Sequence, residues 1–333
     1  MYKTVNDRVF EFDSPKPIGP ARWAYEAYGA ISSFVWSVRY HLTRVSITNK
    51  KYYVSICAIF KNEARYLREW IEFHRIVGVD HFYLYNNNSE DDYESVLDPY
   101  INSGIVTLVS WPKQQAQMEA YRNCISSFSE ETNWLGFIDI DEFVVPVDTN
   151  SIGDFLRPFQ SSYGSVLIYW RLFGSSGQMD RNSGGLVVED FVSSWERYCD
   201  IGKCFMNTAF ELADNQSVNA CLHHLLWTKK GRAARPPVNP YANPCAHRFN
   251  FAPVRKMPIQ INHYFTKSYQ EYCDKCSKGD VYFKENPHDA EYFFRHEMKC
   301  TSVDYSAYKY LLKLKLALSL NKNQFGERWY GGN

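Results

Sequence analysis

The stretch WLGFIDIDEFVVP, residues 134 to 146, puts three carboxylates, Asp139, Asp141 and Glu142, into a run that is otherwise apolar. Phe137, Ile138, Ile140, Phe143, Val144 and Val145 are types that buried strands favour, and isolated acids are costly in such surroundings. Side chains two apart on a strand share a face, so Asp139 and Asp141 are expected to project together at the strand's end as a hard oxygen site. Such a site suits Mg²⁺ or Mn²⁺, which could clamp a diphosphate and neutralise charge on a leaving group. The competing reading is a strand-end turn with solvated acids, because D-x-D is short and common.

A sheet is needed to present these acids, and the preceding residues read as one. VSICAIF (54–60) has the pattern of a buried strand, NEARYLREWIEFHRIVG (62–78) that of an amphipathic helix ending at Gly78, and HFYLYN (81–86) that of the next strand. A short helix over 90–103, a strand over 104–111 and a helix over 114–129 continue the alternation into the acidic strand. This rhythm predicts an open α/β sheet, mostly parallel, whose ligands sit beyond the carboxyl ends of its strands. Three polar clusters, 61–63, 86–89 and 139–142, fall at those ends. Further on, 165–174 reads as a strand, GLVVEDF (185–191) as a lead into a helix, and 257–265 as a strand presenting His263, with a helix over 268–279. Residues 231–258 hold six prolines and read as a long loop. An aromatic helix over 21–42 and a basic amphipathic helix over 305–320 either pack on the body or give peripheral contact with an anionic membrane.

Composition narrows the class. Lys plus Arg and Asp plus Glu are each 37, so no charge excess recommends a nucleic-acid partner. Nine cysteines are scattered without a dense framework, and the polar start is no secretory signal; reduced thiols and a cytoplasmic location, with a membrane-peripheral one as the alternative, are expected. Cys273 and Cys276 form a single C-x-x-C, with His296 and Cys300 downstream as conceivable zinc partners. No G-x-S-x-G, Walker loop or G-x-G-x-x-G after the first strand is present, so hydrolase, kinase and dehydrogenase readings lack their anchors.

The blocks IFKNEARYLREWIEFHRIVGVDHFYLYNNNSED, QAQMEAYRNC, FIDIDEF, WRLFGSSG and INHYFTKS, in that order and spacing, resemble glycosyltransferase family 92. The resemblance implies a GT-A fold, Rossmann-like, related to the inverting family 2 transferases, and covers about residues 52 to 280. It implies nucleotide contacts at Phe60, Lys61, Asn62 and Glu63, joined by Asn86 and Asn87, where related enzymes often carry acids. Arg122 and Asn123 resemble an Arg-Asn pair facing the same crevice, and Lys203 and Lys267 possible phosphate contacts. Asp139, Ile140 and Asp141 look like the metal motif, with His263 completing the site around Mn²⁺ or Mg²⁺ bound to a UDP-sugar. Trp170, Phe173, Gly174, Ser175, Ser176 and Gly177 look like acceptor-side elements; Gln178 stands where related chains usually read His.

Inversion at an anomeric carbon requires a base for the acceptor hydroxyl. Asp180, Glu189, Asp190 and Glu196 are downstream candidates; the segment 185–191 resembles the family's acidic segment, which favours Glu189 with Asp190 in reserve. The organisation expected is an N-terminal arm and helix (1–50), a catalytic domain (51–280) with a nucleotide half (51–145) and an acceptor half (146–280), and a helical extension (281–333). The function implied is metal-dependent transfer of a hexose, galactose from UDP-galactose in the first instance, to a glycan or glycolipid hydroxyl. The alternatives are a silent glycan- or nucleotide-binding protein on the same fold and a metal phosphohydrolase.

Overall fold

The computed structural model describes residues 19–42, 44–46, 48–213, 223–245, 256–277 and 289–319. Part of the proline-rich loop, and Cys221, lie outside these residues. After α1 (Pro20–His41), the alternation expected from periodicity appears as β1 (Tyr52–Phe60), α2 (Ala64–Ile76), β2 (His81–Asn86), α3 (Tyr93–Asn102), β3 (Val106–Ser110), α4 (Gln117–Phe128) and β4 (Thr132–Phe137). β5 (Glu142–Pro146), α5 (Ile152–Leu156), β6 (Ser165–Leu172), α6 (Val187–Asp190), β7 (Ser193–Ser194), β8 (Gly202–Asn207), β9 (Glu211–Leu212), β10 (Thr228–Lys230) and β11 (Ala233–Arg235) follow. β12 (Ile259–His263), α7 (Tyr269–Ser277), α8 (Ala290–Glu297), β13 (Ser302–Val303) and α9 (Tyr308–Ser319) complete the described elements.

The main sheet runs β3-β2-β1-β4-β8-β6-β12-β5. β1 to β4, β6 and β12 point one way; β8 and β5 run antiparallel to their neighbours. This direction pattern decides where chemistry can gather. The carboxyl ends of β1, β2, β6 and β12 meet the starts of β8 and β5 on one edge, through the registers Phe60↔Asn86, Ile168↔Lys203, His263↔Leu172 and His263↔Glu142.

The acidic run is not one strand. β4 ends at Phe137, and residues 139–142 form a turn closed by Glu142 N donating to Asp139 O at 3.1 Å. The chain then reverses into β5, antiparallel to β12. Asp139 and Asp141 therefore do not share a strand face, because each sits on a different side of a tight turn. A hydrogen bond from Asp139 N to Glu142 Oε2 at 2.9 Å fixes that turn from within.

α2 holds the turn from below. Its apolar stripe buries Leu67, Trp70, Ile71 and Phe73, and the Trp70 indole N–H donates to Asp139 O at 3.1 Å and Glu142 O at 2.8 Å. One turn on, buried His74 accepts from Val144 N at 3.1 Å while its Nδ1 contacts Trp70 O at 2.8 Å. Burial holds the His74 pKa down at about 3, so the ring stays neutral and can accept. The helix stops at Gly78, whose φ of 94° favours glycine and whose missing Cβ leaves room for Ser151.

Candidate active site

At the edge of the sheet the acids are met by cations. Lys203, at the start of β8, is 1% exposed; its Nζ donates to Asp139 Oδ2 at 2.7 Å and lies 3.6 Å from Glu142 Oε1. Burial pulls the Lys203 ammonium down, but Asp139 and Glu142 outweigh it and hold it above the ordinary lysine value. The pKa of fully buried Glu142 also rises: burial lifts its carboxyl well above the usual range, against the pull of Lys203. Asp139 also accepts from Gln117 Nε2 at 2.9 Å and from the Tyr121 hydroxyl at 3.2 Å, both on α4.

Asp141 faces a different set. His263 Nε2, at the end of β12, lies 3.6 Å from Asp141 Oδ1, and Lys275 Nζ on α7 donates to Oδ2 at 2.6 Å. Burial raises the Asp141 carboxyl, yet Lys275, His263 and Lys267 reverse this and keep it well below the usual carboxylate range. Burial also lowers the His263 pKa despite Asp141, leaving the ring neutral near pH 7, and its buried Nδ1 has no hydrogen-bond partner among the described residues. Lys267, at φ 52°, is buried with Nζ 4.3 Å from the Tyr66 ring centroid; burial lowers its pKa, and Asp141 and Glu63 work against that.

This arrangement tests a divalent cation directly. A neutral imidazole and a strongly acidic carboxylate with atoms 3.6 Å apart offer two ligands to one ion, leaving other positions for phosphate oxygens and water. Asp141 and His263 fit that use. Asp139 meets Lys203, Gln117 and Tyr121 rather than His263, so the expected three-ligand set divides into a pair, whose Asp141 also holds Lys275, and a carboxylate that holds a buried lysine.

The other expected residues divide as sharply. Asn62 (φ 54°) takes Ser89 Oγ on its N–H at 3.0 Å and offers Oδ1 to Glu90 N at 2.7 Å. Asn86 Oδ1 accepts from Ser89 N, and Asn87 Nδ2 donates to Trp111 O and Lys113 O. These three amides knit the loops at the ends of β1 to β3, which is turn chemistry, and Phe60 O anchors Asn87 N at 2.8 Å. Lys61 is exposed and Glu63 half-buried beside the lysines, whose charges it feels. Asn123 accepts from the Tyr85 hydroxyl at 2.7 Å, and Arg122 is half-buried on α4. Ile140 is buried in the turn.

Most residues of the expected acceptor set lie inside the fold. Trp170 and Phe173 are buried, so neither offers a face to a sugar: Trp170 backs onto Lys203 and His263, with its ring centroid 4.6 Å from that of His263. Gly174 and Ser175 lie beneath α8, where Glu297 accepts from Ser175 N at 2.8 Å and Ser175 Oγ at 2.7 Å. Ser176 Oγ accepts from Val192 N and Ser193 N, and Gly177 alone of the six is exposed. The loop is thus a rigid brace for α6. In α6, Glu189 is ion-paired to Lys315 of α9, whereas burial and the nearby Glu189 and Glu271 raise the Asp190 carboxyl. Cys273 and Cys276 join no group of potential ligands among the described residues; His296, Glu297 and Cys300 come together, but each already bonds to the chain, His296 Nε2 to Phe173 O at 2.9 Å.

The model of glycosyltransferase family 92 matches residues 50–306. The chain belongs to glycosyltransferase family 92. Family 92 proteins of Oryza sativa subsp. japonica and Arabidopsis thaliana are similar to it, at 35% identity over 132 residues and 34% over 149. These alignments cover 39% and 41% of this chain but 23% and 26% of those proteins, so the chain spans about a quarter of their length. Among solved structures, S. aureus TarS residues 1-349 aligns over 47% of each chain, with a TM-score of 0.33 and 11% identity. Glucosyl-3-phosphoglycerate synthase from Mycobacterium tuberculosis aligns over 41% of this chain and 47% of that one, with a TM-score of 0.26 and 21% identity. The family match ends just before α9, and it contains Asp139, Asp141, Lys203, His263, Lys267 and Lys275. Lys275, Gln117 and Tyr121 escaped the sequence reading: a lone lysine in a helix and a Gln-Tyr pair one turn apart carry no signal until the fold turns them toward the acids.

Proposed function

We propose that this family 92 chain transfers a hexosyl unit from a UDP-sugar, galactose in the first instance, onto a glycan hydroxyl with inversion. The observation that carries this is the Asp141–His263 pair at the carboxyl edge of the sheet, ringed by Lys203, Lys267 and Lys275. A divalent cation held by Asp141 and His263 would supply Lewis-acid charge to the diphosphate. Lys267 and Lys275 would offset the negative charge that the leaving group gains as the anomeric carbon–oxygen bond breaks with its electron pair going to UDP. The acceptor oxygen forms the new bond from the opposite face and loses its proton to a carboxylate. Asp190 suits that step better than Glu189, because a raised pKa makes a stronger base whereas Lys315 holds Glu189 in a salt bridge.

A metal-independent form of the same transfer has one observation in its favour: Lys203 and Lys275 already neutralise both aspartates. Release of UDP from a panel of UDP-sugars, with Mn²⁺ or with EDTA and with or without oligosaccharide acceptors, separates these readings. Acceptor-stimulated release that needs Mn²⁺, with a product of inverted anomeric configuration, supports the first. Equal rates in EDTA favour the second, and absence of UDP release, or phosphate release indifferent to acceptor, overturns both. Asp190→Asn is expected to cut turnover about a thousandfold and Glu189→Gln far less.

A further inference from the structure

α1 is tied to the body along one side. Trp36 meets Trp227 edge-on at 5.9 Å between ring centroids, Tyr40 lies 4.9 Å from Tyr163, and the Tyr40 hydroxyl donates to Pro236 O at 2.8 Å. Around the helix from these contacts, Trp23, Ile31, Phe34, Val38 and Leu42 follow one another at three-, four- and eight-residue steps, which aligns them in a single stripe. They remain 77%, 67%, 71%, 45% and 79% exposed. A contiguous apolar stripe of this length on a surface marks something that covers it. No described helix is long and apolar enough to cross a membrane, so a spanning role does not explain the stripe.

Charge identifies the cover. Leu42, the last residue of the stripe, also lines a groove of 410 Å³ with Trp36, Arg39, Arg232 and Arg235. Arg39, Arg44 and Arg232 are exposed at this end, and the adjoining β10 adds Lys229 and Lys230, of which Lys229 is partly offset by Glu211 at 3.7 Å. An apolar stripe that runs into a basic end matches the acyl boundary and the phosphates of an anionic bilayer. The attachment points also fit. α1 sits by Tyr163, next to the Ser165 end of β6, and the acidic turn adjoins the other end, roughly 20 Å of strand away.

We propose that this face of α1 is a docking surface for anionic lipid, with the stripe lying in the interface and Arg39, Arg44 and Arg232 meeting headgroup phosphates. The test is flotation with vesicles of phosphatidylcholine containing about one third phosphatidylglycerol, against phosphatidylcholine alone. The chain is expected to float with the anionic vesicles, about tenfold more than with neutral ones, and less as salt rises. Replacing Ile31 and Phe34 together by Glu, or Arg39 and Arg232 together by Glu, is expected to lower binding about tenfold with far-ultraviolet circular dichroism unchanged. Should the wild-type chain stay unbound, bind both vesicles equally, or form a lipid-free dimer that Ile31→Glu with Phe34→Glu dissolves, the proposal is overturned. Wild-type flotation and its salt dependence decide the matter even if either variant misfolds.

Discussion

Lys203 is the residue on which the acidic cluster depends. Its ammonium is as buried as Glu142 beside it and donates to Asp139, which is one-third exposed, so a buried cation rests on two carboxyl groups. Breaking such a group by removing one member leaves the remainder uncompensated, which typically costs about 3–5 kcal/mol. Lys203→Met is accordingly expected to lower stability by about that amount in urea denaturation. Adding Glu142→Gln should change this little, since burial already drives the Glu142 carboxyl toward its neutral form. An unshifted midpoint in the single variant would mean that the cluster is solvated and that the pairing carries no energy. The sequence showed the acids here because carboxylates stand out in an apolar run. It showed Lys203 only through family resemblance, since one lysine near a strand start has no distinguishing pattern. It misjudged Asp139 because a period-two reading runs straight through a turn whose closing bond, Glu142 N to Asp139 O, is made by the backbone.

At the scale of elements, α2 links the core to the segment proposed to carry the base. Buried Glu69 accepts from Val187 N at 2.9 Å and Val188 N at 3.1 Å, holding the first turn of α6. Burial raises its pKa from 4.5 to about 7, partly countered by those two bonds, with Asp190 adding to the rise and Lys267 opposing it. Because the folded value is the higher one, Glu69 contributes stability below its unfolded pKa and loses it as pH climbs through about 7. The stability gap between wild type and Glu69→Gln should therefore move against the wild type by up to about 3 kcal/mol from mildly acidic to mildly alkaline pH. Parallel pH profiles of thermal unfolding for the two proteins would rule this out. The helix itself was legible, since Leu67, Trp70 and Ile71 mark its face from spacing alone. α6 was not, because four residues make barely one turn and its N–H groups are satisfied by a glutamate more than a hundred positions earlier.

Across the whole molecule, α9 packs into the body. The expected extension from residue 281 onward includes α9, yet Ala307, Tyr310 and Leu314 belong to the same core cluster as Trp70, Phe73 and Phe143. Tyr310 packs edge-on to Phe73 at 5.8 Å and donates its hydroxyl to Pro146 O at 3.0 Å, so α9 ties α2 to the end of β5. Sequence periodicity revealed an amphipathic helix but not its partner, because a Leu-Lys pattern fits a protein groove as well as a membrane. Among the described residues α1 leaves a longer apolar stripe uncovered, while α9 buries Leu314 completely and leaves Leu312 and Leu316 exposed on its other side. Leu314→Ala should then behave as a core truncation, costing about 2–5 kcal/mol in urea denaturation. Because α9 also pairs Lys315 with Glu189, loosening it is expected to soften α6, the segment proposed to carry the base. Hydrogen exchange resolved by peptide checks this: faster exchange over Val187–Asp190 in Leu314→Ala, with β1 and β2 unchanged, is the expected pattern. Exchange confined to α9 would show instead that the tail frays by itself and braces nothing.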